Sequence, residues 1–98
     1  MRLTEEQHEI ILRAVRRRFG PSAGVFLFGS RVDDNRKGGD IDLLVETDTS
    51  GTDALTAKLH AISDMQREMG DRKIDLVTAS PGADSAIIRE ARETGLRL

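Results

Sequence analysis

The stretch Leu27–Glu46, LFGSRVDDNRKGGDIDLLVE, decides the fold. It closes one apolar run, reaches Gly29-Ser30, crosses a polar segment and enters a second apolar run that carries Asp40 and Asp42. Strand alternation puts Asp40 and Asp42 on one face, roughly 6–7 Å apart, and turns Ile41 and Leu43 to the other face, into a core. Ionised carboxylates beside a core are costly unless something offsets their charge. A shared proton is one remedy. A cation between them is the other, and a hard divalent ion such as Mg²⁺, bound by oxygens, suits the pair.

Further along, Asp75 stands between Ile74 and Leu76 in KIDLVT, residues 73–78. If these two strands are sheet neighbours, their axes lie under about 5 Å apart and Asp75 joins Asp40 and Asp42 on one face. Three such carboxylates suit two Mg²⁺ ions roughly 4 Å apart, the arrangement used for in-line phosphoryl or nucleotidyl displacement. Because Mg²⁺ usually keeps substrate phosphates among its ligands, a phosphate holder is also expected. Gly29 lets backbone approach a ligand closely, and Ser30 offers a hydroxyl. A helical turn starting there would aim N–H groups at the anion. Arg31 adds charge beside it, or lies on the surface.

Each piece alone is common, since D-x-D pairs occur in turns and Gly-Ser in loops. The specificity lies in the combination of strand, Gly-Ser, nine residues, D-x-D in a strand and a later strand with one Asp. Asp33, Asn35 and Gly38 match three positions of an EF-hand loop. Lys37 and Leu44 occupy two of its other ligand positions, and the flanking segments read as strands. No Walker phosphate loop is present. His8 and His60 fall on expected helices away from the carboxylates.

Outward from this centre, the expected order is helix, strand, loop, strand, helix, strand, helix. Thr4 and Gln7 form a capping-box pattern for a helix from Thr4 to about Arg18, with Ile11, Ala14, Val15 and Arg18 on one stripe. Gly20-Pro21 ends it. Gly24–Phe28 reads as a strand buried on both faces, Ser30–Gly39 as a turn-rich connection, and Ile41–Glu46 as the second strand. Asp53 is the expected cap of a helix over Ala54–Met69 whose inner face is Leu55, Leu59, Ile62 and Met69. Lys73–Thr78 is the third strand, and Ser80-Pro81 opens a last helix that ends near Gly95. The pattern implies an α/β (α+β) domain with a small mixed sheet of three to four strands and helices packed against it. One domain over residues 1–98 is expected.

The chain is 33% charged with a net charge of -2, so it is no general polyanion binder. The cluster Arg13, Arg16, Arg17 and Arg18 reads as a solvated helix face, with attraction of phosphate or an acidic partner as the alternative. With no Trp or Tyr and three Phe, it has little on which to stack bases, and direct nucleic-acid binding is not expected. The absence of cysteine fits a reducing compartment. No apolar run approaches the roughly 20 residues of a membrane span. The acidic residues early in MRLTEEQHEI do not suit a signal peptide. A cytoplasmic protein is expected.

At Gly29-Ser30, Asp40-x-Asp42 and Asp75 the chain resembles the nucleotidyltransferase superfamily that includes DNA polymerase beta. Within it, the chain looks most like the minimal nucleotidyltransferases (MNT), among them the MntA-like antitoxins. The resemblance covers about Gly24 to Thr78, with a spacer one residue shorter than in many minimal members. It implies the polymerase beta-like nucleotidyltransferase fold. It also implies that Asp40 and Asp42 bind both Mg²⁺ ions, that Asp75 completes the site and assists deprotonation of the attacking hydroxyl, and that Gly29 and Ser30, with Arg31 nearby, hold the triphosphate. The implied reaction moves AMP from ATP to an acceptor hydroxyl. The implied partner is a small all-helical HEPN-type toxin, adenylylated by its MNT antitoxin. A non-catalytic masking subunit, and a transferase acting on a small molecule or RNA, are the rival expectations.

Overall fold

The computed structural model describes residues 3–28, 41–83 and 85–98, apart from the side chains of residues 87 and 94. The first helix, α1 (Glu5–Phe19), starts on the expected capping box. The Thr4 hydroxyl accepts from the Gln7 N–H, and the Gln7 side chain accepts from the Thr4 N–H, both at 3.1 Å. Glu5 and Glu6 in its first turn and Arg16, Arg17 and Arg18 in its last oppose the helix dipole. Ile10, Ile11, Ala14, Val15 and Phe19 form its buried stripe.

Strands β1 (Gly24–Phe28) and β2 (Ile41–Glu46) follow, then helix α2 (Gly51–Met69), strand β3 (Ile74–Ala79), helix α3 (Ala86–Thr94) and the two-residue strand β4 (Leu96–Arg97). Among the described residues the strands form one sheet in the order β3-β2-β1-β4. β1 runs antiparallel to both β2 and β4, whereas β2 and β3 are parallel. Parallel neighbours need a long crossover, and α2 supplies it. This mixed sheet with three helices is the expected fold class.

The sheet has two covered faces. Ile41, Leu43 and Val45 of β2 join Val25 and Leu27 of β1 and Ile74 and Leu76 of β3 beneath α1 and α2. Phe26 and Leu44 point the other way and meet Ala91 of α3, with Phe28, Val77, Ala79 and Ile88 packed around them. β1 is therefore apolar on both sides, as its continuous pattern implied. Side chains along β2 point to alternate faces, which puts Asp42 on the α3 face together with Leu44.

Three expectations are corrected. Helix α2 begins at Gly51 after the N-cap Ser50, so Asp53 lies in its first turn and does not cap it. Its inner face is Ala54, Ala57, Ala61, Asp64 and Met65, with Ile62 and Met69 partly buried, while Leu55 and Leu59 are exposed. Small side chains there let α2 lie close against α1 and the sheet. Ser80 and Pro81 do not open the last helix; they lead into a turn with Gly82 at φ 86°, and Ser85 is the N-cap, accepting from the Ile88 N–H. Strand β4 was not foreseen.

Asp64 faces inward because Arg18 meets it. The guanidinium donates two hydrogen bonds to the carboxylate, at 2.7 and 3.0 Å, and Asp64 is 6% exposed. Arg13 pairs with Glu68 at 3.2 Å between the same helices, while Arg16 and Arg17 remain exposed. Half of the arginine cluster thus joins α1 to α2. The Arg18 hydrogen bonds hold the Asp64 carboxyl below the ordinary carboxylate range, and they outweigh the opposing effect of burial. Asp64→Ala is expected to cost about 1–2 kcal/mol through the lost charge-assisted bonds, since the pair is only partly shielded from water. This contribution is full above about pH 4, the unfolded value, and is lost as pH falls through the lowered folded value. Urea titrations of wild type and variant should therefore differ at neutral pH and converge in acid. A gap that persists unchanged into acid would count against this ion pair as its source.

Candidate active site

Sheet register arranges the α3 face in rows. Phe28, Asp42 and Asp75 form one row across β1, β2 and β3; Phe26, Leu44 and Val77 form the next; Gly24, Glu46 and Ala79 form the third. Helix α3 covers the second row through Ala91 and Ile88. It is tied to the third row by Arg92, which donates to the Glu46 carboxylate and, at 2.8 Å, to the Ala83 carbonyl. Among the described residues no element covers the first row: Asp75 is exposed, and Asp42 and Phe28 are half-buried.

Two carboxylates therefore sit opposite each other on parallel neighbouring strands. Register partners share a face, and adjacent strands lie about 4.8 Å apart. The strand adjacency on which this side-by-side placement depends is present in full, from Ile41–Ile74 to Glu46–Ala79. Two like charges this close raise each other's energy, and a cation between them lowers it. Oxygen donors on a solvent-reachable face are the donor set that a hard divalent ion accepts, with room left for phosphate and water.

Gly29, Ser30, Arg31 and Asp40, the other residues singled out from sequence, lie outside the described residues. Among the described residues no group of three or more His, Cys, Asp or Glu side chains could hold a metal ion. Asp42 and Asp75 contribute two carboxylates. His8 and His60 are carried by α1 and α2, on the opposite side of the sheet from the open row. The sequence reading did not single out Phe28 as a neighbour of Asp42. Its position just before Gly29 was the available signal, and only the β1–β2 register makes it informative. Among the described residues no helix is long and apolar enough to cross a membrane.

No curated protein matches the sequence. A family model described as nucleotidyltransferase domain matches residues 8–97, from α1 through β4 and across the row that holds Asp42 and Asp75, and the chain belongs to that family.

Proposed function

We propose that the chain is an Mg²⁺-dependent nucleotidyltransferase that moves AMP from ATP to an acceptor hydroxyl. In this reading it is the antitoxin of an MNT–HEPN pair and adenylylates its helical toxin. The observation that carries the transfer chemistry is the pairing of Asp42 with Asp75 on the open row, in a chain of the nucleotidyltransferase domain family. Asp40, two positions before Asp42, supplies the third carboxylate of the set.

Asp40 and Asp42 would hold the Mg²⁺ ions, which would supply neutralisation of the phosphate charge and of the charge that develops in the transition state. Gly29 and Ser30 receive the triphosphate, with Arg31 adding positive charge beside it. Asp75 takes the proton of the acceptor hydroxyl. The acceptor oxygen bonds to the α-phosphorus as the bond from that phosphorus to the bridging oxygen breaks, and pyrophosphate leaves with the electron pair. Holding these groups in line accounts for most of the acceleration.

The open row supports a separate acceptor protein. Among the described residues α3 covers the neighbouring rows and no element stands over Asp75. The test is a transfer assay with Mg²⁺, ATP labelled at the α-phosphate and the product of the neighbouring gene. Label on that product, lost on chelation of Mg²⁺, is the expected result. A stable complex with no label would replace the transferase reading with that of a masking subunit.

A further inference from the structure

Where the end of α1 meets the side of α2 there is a small cleft. It holds about 250 Å³ and is lined by Arg18 of α1 and by Leu59, His60, Ser63, Asp64 and Arg67 of α2. At 3.6 residues per turn, Ser63, Arg67 and His60 share one flank of α2, with Asp64 at its inner edge. Both helices cover the sheet face opposite Asp42 and Asp75, so the cleft is separate from the open row.

Positive charge outnumbers negative here. Asp64 is the one carboxylate of the lining, and Arg18 donates to it through Nε at 2.7 Å and Nη2 at 3.0 Å. Arg67 stands 3.8 Å from it, and Arg17 is near enough to help hold its carboxyl low. Arg17 itself makes no ion pair among the described residues. Three guanidinium charges thus meet one carboxylate. Arg18 is also used along one edge only. Its Nε and Nη2 face Asp64, while Nη1 has no hydrogen-bond partner among the described residues. The second edge, Nη1 with the outer hydrogen of Nη2, is a planar fork of the kind that takes two oxygens of one anion. The bonds to Asp64 have already ordered this side chain, so a ligand does not bear that cost. Arg67 is held more loosely, at 3.4 Å from the Ser63 hydroxyl, and is free to turn to the same ligand.

We propose that this cleft binds a phosphate group, held between the outer edge of Arg18, the Arg67 guanidinium and the Ser63 hydroxyl. A phosphate dianion answers the surplus charge, and its tetrahedral oxygens reach both guanidinium groups at once. The cleft is smaller than the roughly 300–1,000 Å³ of pockets that enclose drug-sized ligands. It therefore takes a free ion or the phosphate end of a small molecule. No Phe lines it, so no base is stacked there. Lying behind the sheet, this phosphate takes no part in the proposed transfer. Its effect is to join the end of α1 to α2 through a second set of charged bonds.

Amide NMR spectra of the full chain test this without reference to activity, with sodium phosphate titrated against sodium chloride at equal ionic strength and fixed pH. Shifts centred on Arg18, Ser63, Asp64 and Arg67 are expected to saturate with phosphate, at a concentration on the order of millimolar, and not with chloride. Arg67→Gln, at an exposed position, should weaken binding roughly tenfold, the worth of one charge-assisted bond near water. Arg16→Gln, on the outer face of α1, should leave it unchanged. AMP distinguishes the sources of the group: tighter binding than inorganic phosphate, with the same shifts, assigns the cleft to a nucleotide, and otherwise it belongs to the free ion. Shifts that follow ionic strength whatever the anion, failure to saturate, or equal weakening by Arg67→Gln and Arg16→Gln would each overturn the proposal.

Discussion

Asp42→Asn is expected to lower nucleotidyl transfer at least about a thousandfold, because metal-held phosphate charge is worth several kcal/mol and each 1.36 kcal/mol is tenfold in rate. The amide keeps the shape of the side chain but removes the negative charge and one anionic oxygen donor. Its register partner across the parallel pair is another carboxylate, Asp75, so the substitution also removes a like-charge contact. Ile41 and Leu43 on either side remain buried beneath α1 and α2. The circular dichroism spectrum and the cooperativity of unfolding should therefore match wild type while transfer is lost. Asp75→Asn should act in the same direction, because it removes the group proposed to take the acceptor proton. Full activity in Asp42→Asn would remove the metal from the proposed mechanism. Loss of activity accompanied by loss of fold would instead make Asp42 a structural residue.

The parts of this arrangement that local chemistry dictates could be read directly. The Thr4–Gln7 capping box involves residues three apart. The strands Gly24–Phe28 and Ile41–Glu46 were legible as short apolar runs bounded by polar and glycine-containing segments, the second interrupted only by Asp42. The common face of Asp42 and Asp75 followed from the period of two once β2 and β3 were taken as neighbours, but that adjacency is a non-local fact set by the α2 crossover. Helix α2 was misread for a physical reason. It has two apolar stripes, and the one with larger side chains, Leu55 and Leu59, looked like the inner face. Close approach to α1 and the sheet selected the alanines. Asp64 turned inward because its partner, Arg18, lies on another helix. Two serines precede α3, and Pro81-Gly82 after the first of them makes a turn, so the second, Ser85, caps the helix. Strand β4 spans only Leu96–Arg97, too short for any periodicity to show.

Gly95→Ala is expected to cause the largest loss of stability from a single added methyl group. Gly95 joins the end of α3 to β4 and donates its N–H to the Ala91 carbonyl at 3.0 Å. Its backbone is ordinary, φ -81° and ψ 174°, so the cost is one of space. A Cβ here would stand 2.2 Å from the Ala91 carbonyl oxygen and 2.7 Å from that of Leu27. Both are backbone atoms, and Leu27 belongs to a strand with a neighbour on each side, so neither yields as a flexible side chain would. Relief requires α3 and β4 to move away from β1, which uncovers Phe26 and Leu44. Overpacking of this kind costs about 3 kcal/mol or more, and in a domain of this size that is a fall of roughly 10–20 °C in Tm. Gly24→Ala is the matched control, since its added Cβ would find nothing closer than the Arg97 side chain at 3.6 Å. Calorimetry should show a depressed transition for Gly95→Ala and a near-native one for Gly24→Ala. Hydrogen exchange in the first variant should quicken in α3 before α2, because α2 is held through the opposite face of the sheet. Equal melting of both variants would mean that α3 does not rest on β1 as closely as these contacts require, and the cover over the row beside Asp42 would then have to come from elsewhere.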